Sequence, residues 1–458
     1  MGSGGFLHNI LFFILAIGVL VAFHEFGHYW VARLLKVKVL RFSIGFGKPL
    51  FVKRVQKGED LIEFAVAAIP LGGYVKMLDE REGPVDASLR HRAFNTQPVA
   101  TRFAIVAAGP IFNFILAAFF YFIFFVNGED GIKPVIAAPA VESIAAISGF
   151  AAEDQILSVG NKEVRTWNEF RLALIEQGLD GGDIPVKVRT ADAYETDHHI
   201  SIGERHILNE KTDIVDQLGF KPWKPEFAPI IGGVTENGAA LKAGIAAGDE
   251  IISINDQPIA NWDKLVEVIQ SSAGKNLNVL INRSGEDLNL QLRPDEKQHG
   301  EAVIGFMGAY PEVPKELIEK SKIRIEYSVF EAGARALDET WTFTALTFKV
   351  LGKMVVGEAA LENISGPITI AQYAGITASI SFLVYLKFLA MISVSLGVLN
   401  LLPVPMLDGG HLMYYLIEIV KGSPVSEKIQ QMGQQVGLAL LLVLMSLAVF
   451  NDIQRLIN

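Results

Sequence analysis

The sequence predicts a polytopic α-helical membrane protein with four transmembrane helices, carrying two small α+β domains in tandem. Three observations predict it: four long runs almost free of charge, opposite charge biases in the segments between them, and a repeat at a spacing of 95 residues inside the acidic segment. Composition agrees. Half of the 458 residues are hydrophobic, 20% are charged, and mean hydropathy is +0.34, whereas ordinary soluble chains carry about 25% charge. A net charge of -10 leaves no basic surface broad enough to displace counterions, which argues against a nucleic-acid partner. With no cysteine, disulfides, thiolate metal sites and cysteine nucleophiles are excluded, so any metal must be held by histidine and carboxylate.

Taken in order, the first element is a membrane helix in 1–35. Leu11 to Val31 is long enough to cross the ~30 Å hydrocarbon core, and Glu25 is its only charge. The run is longer than a signal-peptide core and has neither a basic leader nor a small-residue cleavage site after it, so retention in the protein is expected. Met1-Gly2-Ser3-Gly4-Gly5 looks like an artificial extension. The next segment, 36–102, is β-like and punctuated by glycine. Phe103 to Gly128 carries no charge over 26 residues and marks a second span over 103–128. Two small domains follow at 129–222 and 223–312, then a helical, amphipathic segment at 313–366. There Phe330, Trp341, Phe343, Leu346, Phe348, Val350 and Leu351 alternate with charges between Lys315 and Glu362, which suits either the membrane surface or a lid on the small domains. A third span is expected in 367–402, where Lys387 must snorkel or face protein. A loop and short helix occupy 403–428, and a fourth span occupies 429–458.

Loop charge sets the orientation. Tyr29 to Phe103 has 13 basic against 7 acidic residues, and Asn127 to Glu312 has 16 against 30. The positive-inside rule puts 36–102 in the cytoplasm and the acidic domains, with both termini, outside.

Within the acidic segment, Pro134-Val135-Ile136 matches Pro229-Ile230-Ile231, Gly149 matches Gly244, Asp154 to Val159 matches Asp249 to Ile254, and Trp167 matches Trp262. Each copy reads as strand, Ala-rich turn, Gly-Asp turn, strand and helix. The run from Ala239 to Asn255 resembles the PDZ signature. Leu218-Gly219-Phe220 and Ile304-Gly305-Phe306 resemble its carboxylate-binding loops. That resemblance implies contact with peptide C-termini by strand addition. The first copy fits less well, because Glu153 stands where the second has Gly248.

The chemistry lies inside the first span. His24-Glu25-Phe26-Gly27-His28 is an H-E-x-x-H motif: histidines four apart share one helix face and can reach one Zn²⁺, and Glu25, offset by about 100°, can reach a water there. A carboxylate at mid-bilayer depth costs about 2.5–3.5 kcal/mol and usually marks function. Two histidines do not complete a zinc site. Asp408 is the best third donor, in Asn400-Leu401-Leu402-Pro403-Val404-Pro405-Met406-Leu407-Asp408-Gly409-Gly410-His411, where the prolines forbid a continuous helix. The alternatives are that Asp408 merely caps the helix from His411 to Val420, or that His411 is the ligand.

Together these features resemble the site-2 protease family of intramembrane zinc metalloproteases, and the likeness covers nearly the whole chain, including Gly109-Pro110-Ile111-Phe112-Asn113 in the second span. The resemblance implies that His24, His28 and Asp408 bind zinc, that Glu25 is the general base, and that Asn400 touches substrate. It also implies that Gly45-Phe46-Gly47 and Gly72-Gly73-Tyr74-Val75 belong to a membrane-associated β-structure that takes up substrate as an added strand. The implied substrate is a single-pass membrane protein in the bilayer, an anti-sigma factor already trimmed outside, in regulated proteolysis of a bacterial envelope stress response. Remnant signal peptides are a further implied class. The implied location is the bacterial inner membrane with the PDZ domains periplasmic. Asn113 suits helix packing as well as substrate contact. The rival functions are a transporter, which would repeat its membrane half, and a non-catalytic PDZ scaffold, which would not need four intact chemical residues.

Overall fold

The computed structural model describes residues 5–58, 60–178, 182–202, 214–299, 302–314, 319, 321–357 and 364–457. Met1 to Gly4 of the extension, and Lys315 and Glu362 at the ends of the amphipathic segment, lie outside them. Described residues up to Glu129 and from Ile325 onward form one unit, and Asp130 to Arg324 form another.

The first unit contains α1 (Phe6–Leu34), β1 (Val39–Lys57), β2 (Asp60–Met77), α2 (Val99–Val126), α3 (Val329–Val355), α4 (Pro367–Ile380), α5 (Phe382–Leu401), α6 (Asp408–Lys421) and α7 (Glu427–Ile457). Four of these, α1, α2, α5 and α7, are long and apolar enough to cross a membrane. The contact faces of α1, α2 and α5 form one core, in which Leu20 of α1, Leu116, Phe120 and Tyr121 of α2, and Leu389, Val394 and Val398 of α5 are buried together.

The 367–402 stretch, expected to be one helix, is broken at Ser381. Its backbone is extended (φ -168°, ψ 160°), and its hydroxyl accepts the Val384 N–H at 3.1 Å, so that serine ends α4 and caps α5. A serine in an apolar run reads as an ordinary span residue, which is why periodicity missed the break. At the other end of α4, Asp452 of α7 accepts the N–H groups of Gly366, Ile368 and Thr369 and the Thr369 hydroxyl. These bonds satisfy the orphan donors of that helix start. Lys387 faces protein: its Nζ lies 2.8 Å from Glu129 Oε1 and 4.6 Å above the Phe124 ring. The amphipathic segment yields one long helix, α3, opened by a capping box between Ser328 and Glu331. Ala332 and Ala336 of α3 join the membrane core.

β1 and β2 pair antiparallel but fold back on themselves. Phe64 pairs with Lys53 on one side and Phe42 on the other, and Phe42 also pairs with Val75. Four passes therefore lie side by side, with 73–77 at one edge. The reversal uses Gly45 and Gly47, at φ +91° and +85°, angles that residues with a Cβ rarely adopt.

In the intervening unit the sequence repeat is a repeat of fold. Strands Gln155–Val159, Lys162–Glu163, Gly182–Arg189 and Glu195–Ile202 form a sheet of the same order as Glu250–Ile254, Gln257–Pro258, Leu277–Arg283 and Glu286–Leu292. Helices Ile144–Ile147 and Trp167–Gly178 correspond to Ala239–Lys242 and Trp262–Gln270. Each copy has its own apolar core, centred on Phe170 and Phe220 in the first and on Leu265, Val279 and Ile281 in the second. Asp154 and Asp249 close identical turns, each accepting a backbone N–H three residues earlier at 2.8 Å. Glu153 takes the left-handed conformation (φ +68°) that Gly248 takes in the second copy (φ +88°).

Candidate active site

An unbroken helix through the H-E-x-x-H motif puts His24, Glu25 and His28 within one turn of α1, all buried. The two Nε2 atoms are 3.2 Å apart. Asp408 Oδ2 completes a triangle, 3.1 Å from His24 Nε2 and 3.4 Å from His28 Nε2. Among the described residues this is the one group of three histidine or acidic side chains able to hold a metal ion together.

Asp408 arrives by local backbone chemistry. α5 ends at Leu401, Leu402 turns extended, and α6 begins at Asp408 with Leu407 as its N-cap and no side-chain cap. The carboxylate is therefore in the first helical turn and not engaged as a cap. The loop is tight: a Cβ on Gly410 would lie 2.5 Å from the Val404 carbonyl oxygen and 2.7 Å from Pro405 Cα. α7 backs the loop, since a Cβ on Gly437 would overlap the Pro405 carbonyl and one on Gly433 would overlap the Tyr414 hydroxyl. Gly433-x-x-x-Gly437 is thus a seat for the ligand loop, and small residues four apart were a readable signal for it.

The far side of each ring is also held. His28 Nδ1 lies 2.8 Å from the Ile105 carbonyl oxygen. A carbonyl only accepts, so Nδ1 carries the proton and the neutral ring turns its Nε2 lone pair toward His24 and Asp408. His24 Nδ1 lies 3.1 Å from the Asn113 side-chain nitrogen, while Asn113 Oδ1 is buried without a hydrogen bond. With the amide turned over, Oδ1 accepts the Nδ1 proton and frees Nε2 for a metal. The Asn113 backbone carbonyl accepts the Ser393 hydroxyl of α5. Asn113 is fully buried and touches a histidine, a role that helix packing alone did not suggest. Gly109 lies over both rings, and a Cβ there would overlap His28 Nε2 and stand 2.7 Å from His24 Cε1. Within the same turn of α1, a Cβ on Gly27 would stand 2.5 Å from the Ala108 carbonyl oxygen. The two glycines let α1 and α2 approach closely enough for α2 to hold the imidazoles.

These residues fit zinc. A lone pair of His28 faces a carboxylate, and Asp408 Oδ2 is buried without a hydrogen bond, an arrangement of acceptors that is costly without a cation between them. Tetrahedral zinc with bonds of about 2.0–2.1 Å separates its ligand atoms by about 3.3 Å, close to the three separations found. Two imidazoles and one carboxylate also leave a fourth position open, as catalytic rather than structural zinc sites do.

The structure brings other sequence candidates to this centre and leaves some apart. A Cβ on Gly73 would lie 2.8 Å from Glu25 Cγ and 2.7 Å from the Ser43 carbonyl oxygen, so the β-structure packs directly on the glutamate. Gly73, Tyr74 and Val75 pair with Ile44, Ser43 and Phe42 on one side only among the described residues. Phe46 stacks on Tyr74 (centroids 6.3 Å apart, planes at 11°) and covers Gly72. Gly45-Phe46-Gly47 and Gly72 to Val75 thus form one surface. Asn400, half-buried in the last turn of α5, makes no side-chain hydrogen bond among the described residues. His411 is not part of the three-donor group; its ring packs edge-on to Tyr414.

Residues 12–444 match peptidase family M50. The chain is 44% identical to the regulator of sigma-E protease RseP of Escherichia coli over 98% of its length and 99% of that protein. It is 41% identical to a putative zinc metalloprotease of Vibrio cholerae, covering 98% and 99%, and 42% identical to another from Ralstonia nicotianae, covering 98% of both. A buried donor triangle suited to zinc, on helices able to cross a membrane and in a chain alike from end to end to such proteins, has one reading: this chain belongs to peptidase family M50, the site-2 protease family, and is a zinc metalloprotease.

Proposed function

We propose that the chain cleaves peptide bonds within membrane-spanning segments, with His24, His28 and Asp408 holding the zinc and Glu25 serving as base. The observation that carries this reading is the meeting, at one point of α1, of the three-donor group, a buried glutamate and the one-sided strand edge at Gly73. Zinc, when bound, acidifies water and polarises a carbonyl oxygen. Glu25, which makes no hydrogen bond among the described residues, takes the proton from water and returns it to the leaving nitrogen. A helical substrate hides its carbonyls, so it must be extended first. Strand addition along Gly72 to Val75, beside Gly45-Phe46-Gly47, re-satisfies the backbone groups thus released. The Asn400 amide offers a further hydrogen-bond partner to the extended chain.

The substrate class we infer is a single-pass membrane protein, specifically an externally trimmed anti-sigma factor, with remnant signal peptides as a second class. The support is likeness to proteins named as regulators of sigma-E. We place the chain in the bacterial inner membrane, with 36–102 cytoplasmic and the repeated domains periplasmic. The support is the charge bias of these segments. The repeated sheet order supports reading 129–222 and 223–312 as tandem PDZ domains able to take peptide C-termini at Leu218-Gly219-Phe220 and Ile304-Gly305-Phe306.

Glu25→Gln is expected to lower cleavage of a membrane-spanning substrate by at least about 10²-fold while zinc stays bound. Asp408→Ala is expected to lose both zinc and activity. Zinc lost in Glu25→Gln would make Glu25 a ligand, and activity kept there would end the proposal. Orientation is checked with single cysteines at the exposed Ser88 and Ser271. An impermeant thiol reagent should reach them from opposite sides of the membrane.

A further inference from the structure

We propose that a cavity at the end of α1 binds the phosphodiester headgroup of an anionic glycerophospholipid. The cavity has a volume of ≈ 570 Å³ and is lined by Arg33, Lys36, Lys57, His91 and Arg92 around a single described acid, Asp60. Arg92 occupies one oxygen of that acid, Oδ2, at 2.5 Å. Arg33 Nη1 lies 3.9 Å from the same oxygen, an ion pair too long for a hydrogen bond, and is buried without a hydrogen-bond partner. Asp60, 5% exposed, has its other oxygen, Oδ1, buried and equally without a partner. The two side chains are paired by charge, but Arg33 Nη1 and Asp60 Oδ1 each lack a hydrogen bond. The described lining carries four cations, Arg33, Lys36, Lys57 and Arg92, against Asp60, an excess of positive charge that suits the phosphodiester of an anionic lipid such as phosphatidylglycerol. Lys36 and Lys57, which have no ion-pair partner among the described residues, add charge at its mouth.

Position makes a lipid the source. At 1.5 Å per residue the 29-residue α1 is about 43 Å long. That exceeds the ~30 Å hydrocarbon core and puts Arg33, in its last turn, at headgroup depth. Leu35 lines the cavity, and Leu34 and Trp30, exposed on the preceding turns, offer an apolar path for the acyl chains. Basic pockets at this depth are the recurrent form of lipid headgroup sites.

The test uses the full chain in detergent. Native mass spectrometry would measure binding of dioctanoyl phosphatidylglycerol and of dioctanoyl phosphatidylcholine to the wild type and to Lys36→Gln/Lys57→Gln. The wild type should prefer phosphatidylglycerol, and the double variant should bind it more weakly, by up to about thirtyfold at roughly fivefold per lysine. Zinc content serves as the check that the variant is folded. Lys57→Glu alone, at an exposed position, should weaken binding in the same direction. Equal binding of the two lipids by the wild type, or an unchanged preference in both variants, would overturn the proposal. Displacement of phosphatidylglycerol by equimolar inorganic phosphate would also overturn it, by making this a site for free phosphate.

Discussion

The membrane unit and the repeated unit use polar residues in opposite ways. In the repeated unit Asp154 and Asp249 do the same job 95 residues apart, and many charged pairs sit at the surface, where water can stand in for a lost partner. In the apolar helices of the membrane unit polar groups are few, and several fix a particular helix pair. Lys387 joins α5 to the end of α2, Asp452 joins α7 to α4, and Asn113 joins α2 to His24. Buried among apolar side chains, Glu129, Asp452 and Asn113 have few substitutes for a lost partner.

Lys387→Met should show the largest effect, because it leaves Glu129 buried and uncompensated; removing one partner of a buried pair costs about 3–5 kcal/mol. Thermal unfolding in detergent reads it, and Lys387→Met/Glu129→Leu should recover most of the loss. A small effect of the single change would break the contrast between the units. Next, Asn113→Ala should weaken zinc binding by about 10–100-fold with little change in melting temperature of the metal-free protein; competition with a chelator measures it. In the repeated unit the effects should be smaller. Burial raises the Asp249 carboxyl, but hydrogen bonds from Arg283 and the Ala246 N–H outweigh it and hold the group below its usual range. A depressed carboxyl contributes stability above its unfolded value near pH 4 and loses it as pH falls through the folded value. The acid-side loss of melting temperature below about pH 4 should therefore flatten in Asp249→Asn. The smallest expected effect is a gain. Glu153→Gly should stabilise the first repeat by about 1 kcal/mol, since only glycine holds φ near +70° without strain; destabilisation would mean that the Glu153 side chain contributes in a way its backbone angle conceals.

Much of this was legible in the sequence, for identifiable reasons. The spans follow from absence of charge, and the candidate donors His24, His28 and Asp408 from polar residues whose presence inside an apolar chain needs an explanation, with His411 left open beside Asp408. The repeat follows from side chains that recur because turns need them. What was hidden was hidden physically. Ser381 breaks a helix by its backbone angles, which a serine does not announce. Gly109 and Gly437 matter through the Cβ they lack, and what would collide with it is known only when another helix is in place. The orientation of His28 is set by a main-chain carbonyl, for which no residue type is a signal.

That carbonyl carries a lesson about mutation. The two histidines are aligned by unlike means, His24 by the Asn113 side chain and His28 by the Ile105 backbone. A single nucleotide change can delete the first support. Hardly any can delete the second, because every amino acid supplies a carbonyl at position 105. A random screen for weakened alleles will therefore return losses of the support itself at position 113, whereas changes at position 105, where Ile105 is fully buried, disturb packing and leave the carbonyl in place. The lack of any allele that removes the carbonyl would measure how the support is encoded, and would say nothing of its importance.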